Sequence, residues 1–356
     1  MLAGASLFAL ATLLPVHAES ADVAIGIAAP LSGASAILGQ QVSNGARAAA
    51  AADKESAIQL VSADDGCTAE GGAKAAEQFV VEKVQIVVGF LCTEALEAAM
   101  PALKTAGIPA ITVGVRTDSL TDRRDKTGWP VFRLAPRGDG ERIAAGTLLV
   151  PLWRKELFAI VDDGTIYGRE LAESFRLAAE QAGLKPVFVD TFRPQLDNQI
   201  ALAGRLRKAG ATHVFVGGDR EDIAILGRDA QSLGLSLTIA GGETLRAAQD
   251  SVPLQPDTLM IGLPEWASFA PDETIASLKA LEIEPDGYVL PAYAAVTVAA
   301  AAASEALATG KKITDILSSR DFETVIGSVR FDAKGDLADN PQRLFRYDGA
   351  RFVEVK

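Results

Sequence analysis

The sequence predicts an α/β protein of two Rossmann-like lobes with parallel-rich sheets. Short, nearly continuous apolar runs alternate with helix-patterned segments from Val23 onward. The alternation restarts at Glu141, so two consecutive sets of three to four βα units follow one another. Runs of this kind belong to strands buried on both faces, as in a parallel sheet covered by helices. A length of 356 residues suits two domains, and a hydrophobic fraction of 49% supplies their cores.

In the first set, Val23 to Ala29 reads as a strand and Gln40 to Lys54, led by Gly39, as an alanine-rich helix. Ile58 to Ala63 is a strand, Ala69 to Lys83 a helix and Val84 to Val88 a strand; Thr93 to Ala106 is a helix and Ile108 to Val113 a strand. In the second set, Glu141 to Arg154 is helical, Leu157 to Val161 a strand, and Gly168 to Ala182 a helix ended by Gly183. Val187 to Asp190, His213 to Val216, Leu237 to Ala240 and Leu259 to Leu263 are strands, with helices over Asn198 to Lys208 and Glu221 to Leu233. Tyr288 to Leu307 is long and apolar enough to span a bilayer, but it is mostly alanine with Thr297, Ser304 and Glu305 inside it. Alanine contributes little to membrane insertion, so a buried helix packed on a sheet is expected.

Residues 1–18 read as a signal peptide. Leu7 to Val16 is apolar apart from Thr12, and Val16-His17-Ala18 is an A-x-A-like end, although no positive n-region precedes them. Cleavage after Ala18 leaves a chain starting near Glu19; the alternative is a short buried helix. In an oxidising compartment the only two cysteines, Cys67 and Cys92, are expected to form one disulfide, the alternative being two buried free thiols. Such a link stabilises by about 3 kcal/mol in the chain-entropy model. The exported chain keeps one histidine, His213, and no C-x-x-C pair, so no metal site is expected.

A formal net charge of −12 argues against nucleic-acid or anionic-membrane partners, which need a basic face. No G-x-S-x-G, G-x-G-x-x-G or G-x-x-x-x-G-K-[ST] motif is present. His213 lies inside the apolar run Thr212 to Val216 and reads as structural. The pairs Asp64-Asp65 and Asp162-Asp163 stand at strand ends, where carboxylates order loops and cap helices. Neither an enzyme nor a cofactor is expected.

Several separated stretches, in order, resemble the periplasmic leucine/isoleucine/valine-binding proteins, type I periplasmic binding proteins that serve ABC transporters. They are Ala29-Pro30-Leu31-Ser32-Gly33 with Asn44-Gly45-Ala46-Arg47, then Asp64-Asp65-Gly66-Cys67 with Gly89-Phe90-Leu91-Cys92-Thr93. Further along come Ile166-Tyr167-Gly168, Gly217-Gly218-Asp219, Gly241-Gly242-Glu243, Tyr293-Ala294-Ala295-Val296 and Lys334-Gly335-Asp336-Leu337. The resemblance implies two lobes joined by three crossing strands, with lobe I at 21–135 plus 264–340 and lobe II at 136–263 plus 341–356. It implies a ligand clamped between them at the carboxyl ends of strands.

Residue roles follow from the same resemblance. Thr93 matches a serine that binds the ligand α-carboxylate at a helix start, where unpaired N–H groups favour an anion. Gly114, Val115 and Arg116 fall where the family uses backbone and a small hydroxyl residue; Arg116 departs from that pattern and is suited to clamp a carboxylate or to pair with a nearby acid, the alternative being a solvated surface arginine. Tyr167 matches a tyrosine that closes from lobe II, and Glu243 the acid that neutralises the ligand ammonium. Asp219 stands where the branched-chain binders carry a tyrosine and Leu38 where they carry a tryptophan, while Tyr288 keeps an aromatic at a side-chain pocket position. The implied function is that of a monomeric periplasmic binder of an amino acid or related carboxylate, handing its ligand to ABC membrane subunits. A sensing module on the same fold and an enzyme acting on amides or amino acids are the alternatives.

Overall fold

The structure is a computed structural model that describes residues 23–54 and 57–355; the signal peptide expected over 1–18 lies outside the described residues. Among these residues the strands form two main sheets and a small hairpin.

The first sheet has the order β2-β1-β3-β4-β5 and is parallel throughout. Its strands are β1 (Val23–Ala29), β2 (Ile58–Asp64), β3 (Ile86–Gly89), β4 (Ala110–Thr112) and β5 (Val131–Arg133). Helices α1 (Ala36–Ala52), α2 (Ala69–Val81) and α3 (Thr93–Ala106) connect them, with short turns α4 (Ser119–Asp122) and α5 (Arg124–Thr127) before β5.

The second sheet has the order β14-β13-β10-β9-β8-β6-β7. Its parallel part comprises β6 (Phe158–Asp162), β7 (Phe188–Thr191), β8 (His213–Gly217), β9 (Thr238–Gly241) and β10 (Leu259–Gly262). The helices α6 (Gly140–Leu152), α7 (Ile166–Gln181), α8 (Ile200–Ala209) and α9 (Arg220–Ser232) cover it. The chain then returns to the first sheet through α10 (Asp272–Ala280), α11 (Val289–Thr309), α12 (Ile313–Leu317) and the hairpin β11 (Phe322–Thr324) and β12 (Gly327–Val329). Finally β13 (Arg343–Tyr347) and β14 (Phe352–Glu354) close the second sheet in antiparallel fashion.

Helix α11 is the apolar segment expected to be buried. It is long and apolar enough to cross a membrane, yet 67% of its most apolar window is buried in the protein. It packs on α1 and against β1 and β3, and its alanines and valines form the centre of one hydrophobic core.

Strands β3 and β4 begin two residues later than expected, β13 and β14 were not expected, and three further details differ. Helix α1 starts at Ala36, so Gly39 lies inside it, where an added Cβ would run into the Pro30 carbonyl. Strand β5 escaped notice because its third residue, Arg133, is charged and still wholly buried. The three crossings implied by the resemblance, near 134–139, 263–265 and 338–342, are not paired strands among the described residues. The first and third run side by side, flanking a cavity of about 140 Å³, and Asn340 Nδ2 donates to the Gly140 carbonyl across them at 2.7 Å.

Beside these crossings a charged cluster is buried. Arg133 is 0% and Asp336 2% exposed. Arg133 Nε donates to Asp336 Oδ1 at 2.7 Å, and its Nη2 lies 2.6 Å from the same oxygen. Arg137 Nη1 and the Thr121 hydroxyl both reach Asp336 Oδ2 at 2.8 Å, and Arg133 Nη1 holds the Thr117 carbonyl at 2.7 Å. Arg137 also pairs with Asp139, whose hydrogen bond heads the causes that raise the guanidinium above its ordinary range. Asp122, bonded to Lys334 and Arg137, is held down at about 2.

Removing one member of a buried ion pair strands its partner without solvent. Asp336→Ala is therefore expected to lower the unfolding free energy by about 3–5 kcal/mol in urea melts. Glu70→Ala, which breaks only the exposed Lys74–Glu70 pair, is expected to leave the urea midpoint nearly unchanged.

Candidate functional site

In both sheets the parallel strands deliver their loops at the carboxyl ends, and Thr93, Gly114, Val115, Arg116, Tyr167, Asp219 and Glu243 fall on those loops or on the helix starts that follow them, whereas Leu38 lies in α1 and Tyr288 caps α11. On the first sheet the loops after β2, β3 and β4 are tied together. Cys67 and Cys92 form a disulfide with Cα atoms 5.2 Å apart, joining the loop after β2 to the start of α3. The buried Thr112 hydroxyl donates to the Phe90 carbonyl at 2.8 Å and accepts the Val115 N–H at 3.1 Å, which joins the loops after β3 and β4.

Thr93 opens α3. The residue before it, Cys92, has its sulfur committed to the disulfide and makes no side-chain cap, unlike Thr68 and Thr165, which cap α2 and α7. The Thr93 hydroxyl lies 2.9 Å from the Thr117 hydroxyl, and either can be the donor. Whichever accepts keeps its own O–H for another partner.

Gly114 packs on Leu91, and the Val115 side chain is buried in the core, so Val115 can offer the site only backbone. Arg116 is exposed, and its carbonyl accepts the N–H of Gly138, a residue of the first crossing, at 2.8 Å.

On the second sheet Tyr167 lies in the first turn of α7 and Glu243 follows β9. A residue that sequence reading did not single out joins them: Glu141, in the first turn of α6. Its Oε1 accepts the Tyr167 hydroxyl at 2.8 Å and the Glu243 backbone N–H at 2.6 Å. Gly242 allows this convergence, because a Cβ there would overlap both the Tyr167 hydroxyl and Glu141 Oε1. Burial raises the Glu141 carboxyl; the two donated hydrogen bonds and Arg116 pull the other way, and the Glu243 charge raises it further. Burial, followed by the Glu141 charge, pushes the Tyr167 phenol well above its usual range.

The Glu243 carboxylate accepts the N–H of Leu263, in the second crossing, at 3.4 Å. Its other oxygen faces Arg116, with Nη1 to Oε2 at 3.9 Å. This ion pair links a loop of the first sheet to a loop of the second, and each partner is bonded to a crossing segment.

The remaining predicted residues stand apart from that pair. Asp219 is an exposed residue at the start of α9 that makes no side-chain cap there. Leu38 is 40% exposed in the first turn of α1. One turn along, Gln41 Oε1 accepts the Tyr288 N–H at 3.1 Å, which sets Leu38 and Tyr288 on the same side of the first sheet. Gln41 was also missed, and nothing in its sequence context marks it.

His213 begins β8, at the end of the strand opposite the site loops. It packs edge-on against Trp153, and burial lowers its imidazole below the usual range. The paired aspartates order loops as expected: Asp64 Oδ1 accepts the N–H groups of Leu31 and Gly66, and Asp163 Oδ1 those of Thr165 and its hydroxyl.

Comparison with known proteins adds three findings. Residues 22–351 match the model of a family described as periplasmic binding protein. An amino acid binding protein of Pseudomonas aeruginosa is 30% identical over 94% of this chain and 92% of its own, and a Leu/Ile/Val-binding protein homolog of Brucella melitensis is 28% identical over 97% of each. The crystal structure of a putative branched-chain amino acid ABC transporter from Rhodospirillum rubrum superposes with a TM-score of 0.77 over 94% of this chain and all of that one, at 19% identity, a likeness of fold.

Because the Glu141 carboxyl is raised in the folded protein, it binds its proton more tightly there than in the unfolded chain. Its contribution to stability is present below the ordinary glutamate value of about 4.3 and is lost as pH rises through the folded value. Glu141→Gln removes that loss. In urea melts at a series of pH values, the stability of the variant relative to the parent is expected to rise with pH from about 4 toward neutrality.

Proposed function

The chain belongs to the periplasmic binding protein family, and from that premise we propose that it is the exported solute-binding component of an ABC importer and captures an amino acid between two closing lobes. The family is one of solute binders, and the proposed lobes are 21–135 plus 264–340 and 136–263 plus 341–356. Two sheets with the chain passing three times between them support that division. The single observation that carries the ligand reading is the Arg116–Glu243 pair at 3.9 Å, which sets opposite charges from the two sheets against each other at the carboxyl ends of the strands.

In this reading the ligand carboxylate lies at the uncapped start of α3 beside Thr93 and the Gly114 backbone, the Val115 N–H being held by the Thr112 hydroxyl. The ligand ammonium lies at Glu243, with Tyr167 closing over it. Leu38, Tyr288 and Asp219 line the side-chain pocket. The name of the Brucella relative favours an aliphatic amino acid, whereas Arg116 and Asp219 favour a more polar one, because a charge enclosed with the ligand needs a partner. Ligand binding shifts the lobes toward closure by favouring the closed form. The signal-like residues 1–18 support export.

A thermal-shift panel of amino acids and small carboxylates tests this. A true ligand at about one hundred times its Kd is expected to stabilise the protein by roughly 2.7 kcal/mol. Glu243→Ala is expected to abolish the shift for amino acids. Full amino-acid affinity in that variant would remove Glu243 from its assigned role.

A further inference from the structure

The charges expected to receive the two ends of the ligand are, in this structure, each other's partner. Arg116 precedes Thr117, whose hydroxyl meets that of Thr93 at the start of α3, so its loop suits an anion. Glu243 adjoins Glu141 and the Tyr167 hydroxyl, so its surroundings suit a cation. The link between them is long and partly exposed, at 3.9 Å with the side chains 47% and 29% exposed.

An exposed ion pair of this kind contributes little to stability, so separating it costs little. Closing the lobes over the separated charges is another matter, because an enclosed charge without a partner is strongly unfavourable.

We infer that the site is self-paired, and that a ligand binds by exchange. Its ammonium takes Glu243 and its carboxylate takes Arg116, so a molecule bringing only one of those charges leaves the other enclosed and unpaired. Arg116 is then the residue that selects zwitterions, α-amino acids or molecules with the same two groups equally close, against simple amines and simple carboxylates. The inference rests on the amino-acid reading above and deepens it. It also gives a reason for an arginine where the resemblance calls for a small hydroxyl residue: the cation holds Glu243 in place while the site is empty and supplies the carboxylate partner once it is filled.

The experiment uses the full chain and a matched set of probes: leucine, 3-methylbutylamine and 4-methylpentanoate. If another amino acid gives the larger thermal shift, it is used with its own amine and acid. For the parent protein, calorimetric titration is expected to show each single-charge probe binding about 100-fold more weakly than the amino acid.

Two variants give a signature that a merely structural role would not produce. Arg116→Gln is expected to lose at least about 10-fold in amino-acid affinity while binding the amine more tightly than the parent does, since Glu243 is released. Glu243→Gln is expected to do the converse, gaining affinity for the carboxylate. Melting curves of the ligand-free variants establish that both fold. Equal affinity of all three probes for the parent, or failure of Arg116→Gln to gain for the amine, overturns the exchange while leaving an amino-acid binder in place. Absence of any shift with every amino acid overturns the amino-acid reading itself and the exchange with it.

Discussion

The site depends on a salt bridge that does not belong to it. Arg133, at the end of β5, and Asp336, just before the third crossing, are buried against each other, and the same cluster takes in Arg137 of the first crossing. The guanidinium of Arg133 also holds the Thr117 carbonyl. The residue before Thr117 is Arg116, and the residue whose hydroxyl Thr117 meets is Thr93. One buried pair therefore fixes the position of the first-sheet site loop relative to two of the three segments that join the sheets. Sealed pairs of this kind are poor sources of net stability but costly to break, which makes them good at fixing one geometry.

On the second sheet the corresponding task falls to Glu141. It gathers Tyr167 and the backbone of Glu243 on one carboxylate oxygen, and it sits in the first turn of the helix that follows the first crossing. Each half of the candidate site is thus anchored to the crossings, and the two halves meet through the Arg116–Glu243 and Asp118–Arg142 contacts, both 3.9 Å long. The buried Arg133–Asp336–Arg137 cluster ties the crossings to the first sheet, whereas the contacts between the two site loops are long and partly exposed. Ion pairs of the second kind are separated at little cost.

Much of this was legible in the sequence because parallel strands announce themselves. The runs at Val23, Ile58, Leu157 and His213 became β1, β2, β6 and β8 with shifts of a residue at most. Elements carrying the opposite signal were not legible. Strand β5 is three residues long and ends on a charge, and β13 and β14 have the mixed polarity of partly exposed antiparallel strands. At the site, the ordered motifs led to Thr93, Arg116, Tyr167 and Glu243. They could not lead to Glu141, which reads as an ordinary acid in a first helical turn until the fold brings Gly242 and Tyr167 against it. Nor does a sequence reveal that Arg116 and Glu243, far apart along the chain, are each other's partner.

A crystal structure of the full chain with the amino acid that stabilises it best tests the central claim most directly. The ligand should lie between the two sheets, with its ammonium on the Glu243 carboxylate, its carboxylate at the start of α3 and on Arg116, and the direct Arg116–Glu243 contact gone. A ligand bound elsewhere, or bound there with that contact intact, would contradict the account.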